Sequence, residues 1–112
     1  MKELNIRNPF NNAPIMHTEE TDSTMAAAAD LAEQGYPFGT VVLTDYQTGG
    51  RGRFAERRWL SAPGEGLLFT LYLDSSSLIH PASMLPLLAG LGLLRLVEAV
   101  TGLPCQLKWP ND

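Results

Sequence analysis

The residues best suited to chemistry form a short glycine-rich and arginine-rich stretch, residues 45–53, which reads Asp-Tyr-Gln-Thr-Gly-Gly-Arg-Gly-Arg. Glycines allow a backbone to approach a ligand closely, because they lack a Cβ. Arginine presents a planar set of donors that suits phosphate or carboxylate. The stretch therefore predicts a clasp for an anionic or phosphorylated ligand. An exposed hairpin turn and an RGG-like nucleic-acid contact remain alternatives for so short a motif.

Two predicted elements position this stretch. An apolar run leads into it, so we predict a buried strand over residues 40–45. A helix is predicted from Ser23 or Thr24 to Gln34, because alanines follow several residues that favour helix N-caps and Gly35 can occupy C′. The hydroxyls of Ser23 and Thr24 either cap this helix or face a ligand.

The remaining elements follow from apolar periodicity. Residues 1–12 show no period and are predicted to be a loose lead-in, and residues 14–20 are a weak strand. Residues 67–73 are apolar on both faces, which predicts an interior strand. A buried helix is predicted from Ser83, as N-cap, to residue 100 or 101, with Gly90 and Gly92 packed against the sheet. Alternation then predicts a last strand over residues 105–109.

Composition limits the classes of function. A chain of 112 residues forms at most one domain, and a net charge of −4 argues against coating nucleic acid or an anionic membrane. The lone Cys105 and the lack of a signal peptide indicate a cytoplasmic protein, and the apolar run 84–94 is too short to cross a bilayer. Against this acidic background, arginines cluster at positions 51, 53, 57 and 58.

Four motifs in register resemble the first half of the catalytic domain of the biotin protein ligases. They are Ser23-Thr24-Met25 before an alanine-rich helix, the stretch from Gly39 through Gly49-Gly50-Arg51-Gly52-Arg53 to Trp59 and Ser61, Gly64-Glu65-Gly66-Leu67 before a strand, and Lys108-Trp109-Pro110-Asn111-Asp112. The resemblance covers roughly residues 20–112. It implies an α+β fold with a mixed, largely antiparallel sheet and helices packed on it, incomplete at the C-terminal end. It also implies that residues 1–112 are one portion of a single catalytic domain, with no DNA-binding domain before it.

The resemblance also implies an activity and site residues. Members of the family activate biotin with ATP and Mg²⁺ to biotinyl-5′-adenylate and pass biotin to a lysine of a carrier domain. The implied biotin-binding residues are Ser23, Thr24, Met25, Gln47, Arg51, Gly52 and Arg53. Those near ATP or the adenylate are Gly50, Arg53, Lys108, Asn111 and Asp112. The implied catalytic residues are Arg51, Arg53 and Lys108, no residue is implied as a metal ligand, and Trp59 is expected to help order the glycine loop.

Several expectations concern partners and competing functions. The implied partner is the biotin carboxyl carrier domain of a biotin-dependent carboxylase, with neither DNA nor membrane as a partner. The 112-residue chain alone is expected to be inactive and to self-associate through uncovered surfaces. A lipoate ligase or lipoyl transferase, a non-catalytic biotin-binding module and a small RNA-binding domain are the alternatives. The segment 54–58 departs from many relatives, so Arg57 and Arg58 are assigned no contact.

Overall fold

A computed structural model describes residues 1–52, 54 and 56–108. The chain divides into two compact units, Met1–Asp74 and Ser75–Asp112. The first contains the strands β1 (Lys2–Glu3), β2 (Ile15–Thr21), β3 (Val41–Gln47) and β4 (Leu68–Leu71) and the helix α1 (Thr24–Glu33). The second contains the helix α2 (Leu85–Thr101), preceded by short 3₁₀ turns at Ser75–Ser77 and Ala82–Met84.

The sheet of the first unit is mixed, as predicted. Its strands are ordered β1-β2-β3-β4, with β2 and β3 parallel and the two outer pairings antiparallel. Parallel neighbours need a crossover connection, and α1 supplies it between β2 and β3. The registers Thr21↔Gln47 and Val42↔Thr70 fix which side chains of neighbouring strands lie side by side.

The core of this unit lies between α1 and the sheet. Val42 is fully buried, and Met16, Ala28 and Leu31 pack around it, with Ala27 and Tyr36 at the margin. The alanine-rich face of α1 brings the helix close to β3 and β4. As a result, the N-terminus of α1 lies beside the C-terminal end of β3, which is where the glycine-rich stretch begins.

The N-terminal segment is not the loose lead-in that its composition predicted. Lys2–Glu3 pairs with β2, and Asn8 is buried. The Asn8 side chain donates to the carbonyls of Ala13 (3.0 Å) and Gly39 (2.7 Å) and accepts from the backbone N–H of Phe10. A single buried amide can thus order a polar segment, which apolar periodicity does not detect.

The strand predicted over residues 67–73 forms only over Leu68–Leu71, and it lies at the edge of the sheet rather than in its interior. Within the described residues, β4 pairs only with β3 and forms the edge, and Leu67 and Phe69 are largely exposed. Apolar side chains on both faces therefore do not make β4 interior here. Such an edge leaves backbone groups available for further pairing.

The second unit departs furthest from the predictions. Helix α2 begins after Met84 rather than after a Ser83 cap, with Pro86 in its first turn. It ends at Thr101, as predicted, and Gly102 follows in the left-handed conformation. None of its residues is buried, so the predicted buried helix is wrong for the described chain. The stretch Ala82–Thr101 is long and apolar enough to cross a membrane by length and composition alone, a test that core helices of soluble proteins also pass.

The predicted final strand is also wrong where the structure describes it. Residues 105–108 carry no regular secondary structure, and Trp109 lies outside the described residues. A strand requires a paired neighbour, and the described part of the second unit offers none. Leu107 instead packs against Gly90 of α2, whereas a Cβ on Gly92 would meet nothing within 4 Å. Among the described residues of the second unit, Gly90 therefore has a close neighbour and Gly92 has none.

Candidate functional site

The N-terminus of α1 is capped by two side chains that also face a cleft. Ser23 is the N-cap, and its hydroxyl accepts from the N–H of Met25 at 3.2 Å. The N–H of Thr24 donates to Oε1 of Gln47 at 2.8 Å, across to the end of β3. The first amides of a helix have no intrahelical acceptor, so these bonds satisfy groups that would otherwise be unpaired. The hydroxyl residues are therefore caps and cleft residues at once.

The side-chain amide of Gln47 has a defined orientation. A backbone N–H can only donate, so the atom beside Thr24 N must be the amide oxygen. The same oxygen accepts from the Thr24 hydroxyl at 3.0 Å. Gln47 Nε2 has no hydrogen-bond partner among the residues that the structure describes. Its two N–H groups therefore remain available as donors for a ligand.

These side chains line a cleft of about 520 Å³ in the first unit. The lining residues are Ser23, Thr24, Met25, Ala26, Gln47, Arg51, Gly52, Phe69 and Thr70. Arg51 is the charged member of this set, and the positive end of the α1 dipole lies at the same place. The volume lies in the range of small-molecule sites. The cleft thus combines an apolar wall, neutral donors and acceptors, and a positive potential.

The glycine-rich stretch forms a hairpin that closes one side of the cleft. The N–H of Trp59 donates to Gly50 O at 2.8 Å, and the N–H of Gly52 donates to Arg57 O at 3.0 Å. Arg51 and Arg58 are therefore opposed in an antiparallel bridge, in which side chains project from the same face. Two like charges so placed repel each other, and an anion between them would relieve that repulsion.

Gly50 must be glycine for steric reasons in this arrangement. A Cβ built on it would lie 2.7 Å from Trp59 O and 3.0 Å from Gln47 Nε2. Trp59 bonds to the loop through its backbone N–H. The residue is 59 % exposed, beside a smaller cleft shared with Thr24, Gln47 and Arg51. Further along the hairpin, the Arg57 guanidinium lies 5.7 Å from the centre of the Phe54 ring.

The predicted site residues divide into four groups. Six of the implied biotin-binding residues line the one cleft: Ser23, Thr24, Met25, Gln47, Arg51 and Gly52. Gly50 is buried in the adjoining hairpin. Lys108 is exposed and belongs to the second unit. Arg53, Asn111 and Asp112 lie outside the described residues.

Sequence reasoning missed three lining residues of the cleft, Ala26, Phe69 and Thr70. The Thr70 hydroxyl lies 2.9 Å from that of Thr24. A threonine inside an apolar strand was the available signal, because a half-buried hydroxyl needs a partner. Among residues 1–52, 54 and 56–108, no group of three histidine, cysteine or acidic side chains converges on a point that could hold a metal ion.

Comparison with known proteins assigns this architecture to a family. A model of the biotin/lipoate A/B protein ligase family matches residues 18–112. The chain belongs to that family. The ligase-family assignment and the mixed sheet agree with the resemblance inferred from the sequence.

Individual relatives support the assignment to the biotin/lipoate ligase family. The bifunctional ligase/repressor BirA of Bacillus spizizenii is 36 % identical over 98 residues, which covers 88 % of this chain and 30 % of that protein. The BirA of Bacillus subtilis is 35 % identical over the same length. The chain therefore spans less than a third of these relatives.

Two solved structures share the ligase-family fold. The biotin protein ligase of Aquifex aeolicus in complex with biotin and ATP superposes with a TM-score of 0.71 at 39 % identity, covering 88 % of this chain and 40 % of that one. A mutant of the same ligase in complex with biotin gives a TM-score of 0.67 at 38 % identity. The fold of this chain is thus the fold of part of a biotin protein ligase.

Proposed function

We propose that the full-length protein containing this chain activates biotin with ATP to biotinyl-5′-adenylate and transfers biotin to a lysine of a carrier domain. The observation that carries the proposal is the cleft that joins the capped Thr24–Gln47 pair to Arg51. The Aquifex aeolicus neighbour, a ligase in complex with biotin and ATP, supports the same substrates.

The polar end of the cleft suits the ureido ring of biotin. That ring is neutral and carries one carbonyl acceptor and two N–H donors. Gln47 Nε2 offers donors, while the hydroxyl oxygen of Ser23 offers an acceptor. Phe69 and the side chain of Met25 supply apolar surface for the rest of the molecule. Neutral polar groups in an otherwise apolar cleft favour a neutral, hydrogen-bonding head group.

Arg51 suits the first chemical step. A carboxylate must approach the α-phosphate of ATP, and the two groups repel each other until positive charge lies between them. In the proposed reaction, the carboxylate oxygen forms the bond to the α-phosphorus while the bond to pyrophosphate breaks. Arg51 lines the cleft and places positive charge there, and Arg58 lies opposite it in the hairpin. The resemblance also implies Arg53 and Lys108 as catalytic residues.

Mg²⁺ is expected to accompany ATP. Magnesium usually binds through substrate phosphates with one or two carboxylates, so a preformed cluster of three protein ligands is not required. When bound, the ion would neutralise phosphate charge. Asn111 and Asp112 remain predicted residues near ATP or the adenylate.

A lipoate ligase is the second candidate, because the family includes lipoate ligases. The dithiolane ring of lipoate has no strong donor or acceptor, so it would leave Gln47 Nε2 unpaired on binding. Burying an unpaired polar group is unfavourable, which favours biotin at this cleft. The proposed acceptor of biotin is the biotin carboxyl carrier domain of a biotin-dependent carboxylase. We expect the reaction to take place in the cytoplasm and not to involve DNA.

Exchange of labelled pyrophosphate into ATP tests the proposal. The full-length protein should show exchange that depends on biotin and is not supported by lipoate. Arg51→Ala should reduce it by about tenfold or more, because one charged hydrogen bond contributes on the order of 1.5–3 kcal/mol. Arg95→Ala, on the exposed part of α2, is the matched control and should leave exchange unchanged.

The outcome also separates the alternatives. Exchange with lipoate alone would support the second candidate, and biotin binding without exchange would support a non-catalytic module. The 112-residue chain by itself is expected to show little exchange.

A further inference from the structure

Three side chains from three different elements meet at the polar end of the cleft. Thr24 begins α1, Gln47 ends β3, and Thr70 lies in β4. The Thr24 hydroxyl lies 3.0 Å from Gln47 Oε1 and 2.9 Å from the Thr70 hydroxyl. Thr24 is only 4 % exposed, so its hydroxyl depends on these two partners rather than on water.

The hydrogen atoms of these three hydrogen-bonded side chains can be arranged in one direction only. Gln47 Oε1 is held as an acceptor by the Thr24 N–H and cannot donate. The single hydrogen of the Thr24 hydroxyl is therefore used toward Gln47. The contact between the two threonines then requires Thr70 to donate to Thr24. The direction of donation runs from Thr70 through Thr24 to Gln47.

We propose that Thr70 is a positioning residue for ligand binding. Its hydroxyl donates to Thr24, keeps the Thr24 hydrogen directed at Gln47 Oε1, and so holds the amide with Nε2 presented to the cleft. This inference rests on the proposed function, in which Nε2 meets the ureido carbonyl of biotin. It assigns a specific part in recognising the head group to a residue of the fourth strand.

Geometry supports a role beyond filling the sheet. Thr70 pairs in register with the fully buried Val42, and α1 packs over this side of β4. A valine would fill the same space as Thr70, so shape alone does not require a hydroxyl there. Removing the hydroxyl would leave a buried oxygen of Thr24 without its donor and would allow the Thr24 side chain to turn away from Gln47.

Affinity for biotin tests this role in the full-length protein. Thr70→Val keeps the shape and removes the donor, and we expect it to weaken biotin binding about tenfold in calorimetry. Thr70→Ser keeps the donor and should bind within about twofold of the wild type. In exchange assays, KM for biotin should rise in Thr70→Val, while KM for ATP and kcat should hold.

A matched control separates positioning from folding. Thr44 is a buried threonine of β3 whose hydroxyl donates to Tyr46 O at 3.1 Å. It takes no part in the hydrogen bonds that connect Thr70, Thr24 and Gln47. Thr44→Val should lower the melting temperature without changing the affinity for biotin. If Thr70→Val does not fold, Thr70→Ala and Thr70→Ser provide the same comparison.

The possible outcomes are distinct. Biotin binding by Thr70→Val equal to wild type, or equal loss in Thr70→Ser, would overturn the positioning role while leaving the proposed function intact. A wild-type protein that binds no biotin would overturn the proposed function, and this role with it.

Discussion

The backbone nitrogen of Thr24 and the side-chain oxygen of Gln47 lie 2.8 Å apart, so a strand residue caps a helix that follows a different strand. This bond ties the folding of the first unit to its candidate chemistry. Because one amide group serves both purposes through different atoms, substitutions can separate stability from binding.

Replacing Gln47 with glutamate should separate the two most clearly. The carboxylate keeps both bonds from Thr24 and places a negative charge at the helix N-terminus, which contributes about 0.3–1 kcal/mol. It removes the Nε2 donors, so we expect unchanged or higher thermal stability with biotin affinity reduced at least about tenfold. Calorimetry and thermal denaturation measure the two effects. Gln106→Glu, at an exposed site in the second unit, is the control, and retained affinity in Gln47→Glu would contradict the proposed use of the donors.

Ser23 offers a second separation of the same kind. Ser23→Ala removes the acceptor of the Met25 N–H and should reduce the free energy of unfolding by about 0.5–2 kcal/mol. Ser23→Asp restores a capping acceptor, so stability should return. It also replaces the hydroxyl at the end of the cleft proposed for the neutral ureido ring, and it adds a negative charge to a cleft that must also hold the carboxylate of biotin, so exchange activity should not recover. Full activity in Ser23→Asp would show that this hydroxyl acts only as a cap.

Gly50 should not tolerate even a methyl group. An added Cβ would meet Trp59 O at 2.7 Å and Gln47 Nε2 at 3.0 Å. We expect Gly50→Ala to displace the hairpin and lower exchange activity by about tenfold or more, a loss typical of a small misplacement at a site. Gly66→Ala is the control, because its Cβ would make ordinary contacts at 3.6 Å. Equal activity in the two variants would show that the hairpin does not need this close approach.

The two glycines of α2 should respond oppositely. A Cβ on Gly92 meets nothing within 4 Å, so Gly92→Ala should stabilise the 112-residue chain by about 0.5–1 kcal/mol through helix propensity. A Cβ on Gly90 lies 3.1 Å from two methyl carbons of Leu107, which should offset the gain. Urea denaturation followed by circular dichroism compares the variants. Stabilisation by Gly90→Ala equal to that by Gly92→Ala would show that Leu107 does not pack there.

Local signals predicted the parts of the first unit that surround the cleft. The caps and alanines of α1 and the apolar run of β3 are short-range patterns, and both elements formed close to their predicted limits. The residues around the cleft lie together because α1 connects the parallel strands β2 and β3, which brings the N-terminus of the helix to the C-terminal end of β3. Thr70 joined them through β-sheet register, which a pattern within one strand cannot reveal.

The second unit was predicted poorly for a physical reason. Strands and buried helices are stabilised by contacts with elements distant in sequence. Apolar periodicity therefore shows only that a segment could be buried, not which element would bury it. Residues 105–108 and α2 have the composition of covered elements without such cover in the described chain. Whether the chain self-associates through these surfaces stays a prediction, and light scattering measures it.

The buried amide of Asn8 has a practical consequence for expression clones. Because it fastens the carbonyls of Ala13 and Gly39, the residues ahead of the first long strand hold the turn from which β3 departs. Deleting these residues would remove the hydrogen bonds that hold the start of β3, the strand that ends at Gln47. A clone intended for crystallisation should therefore start no later than the beginning of this anchoring segment.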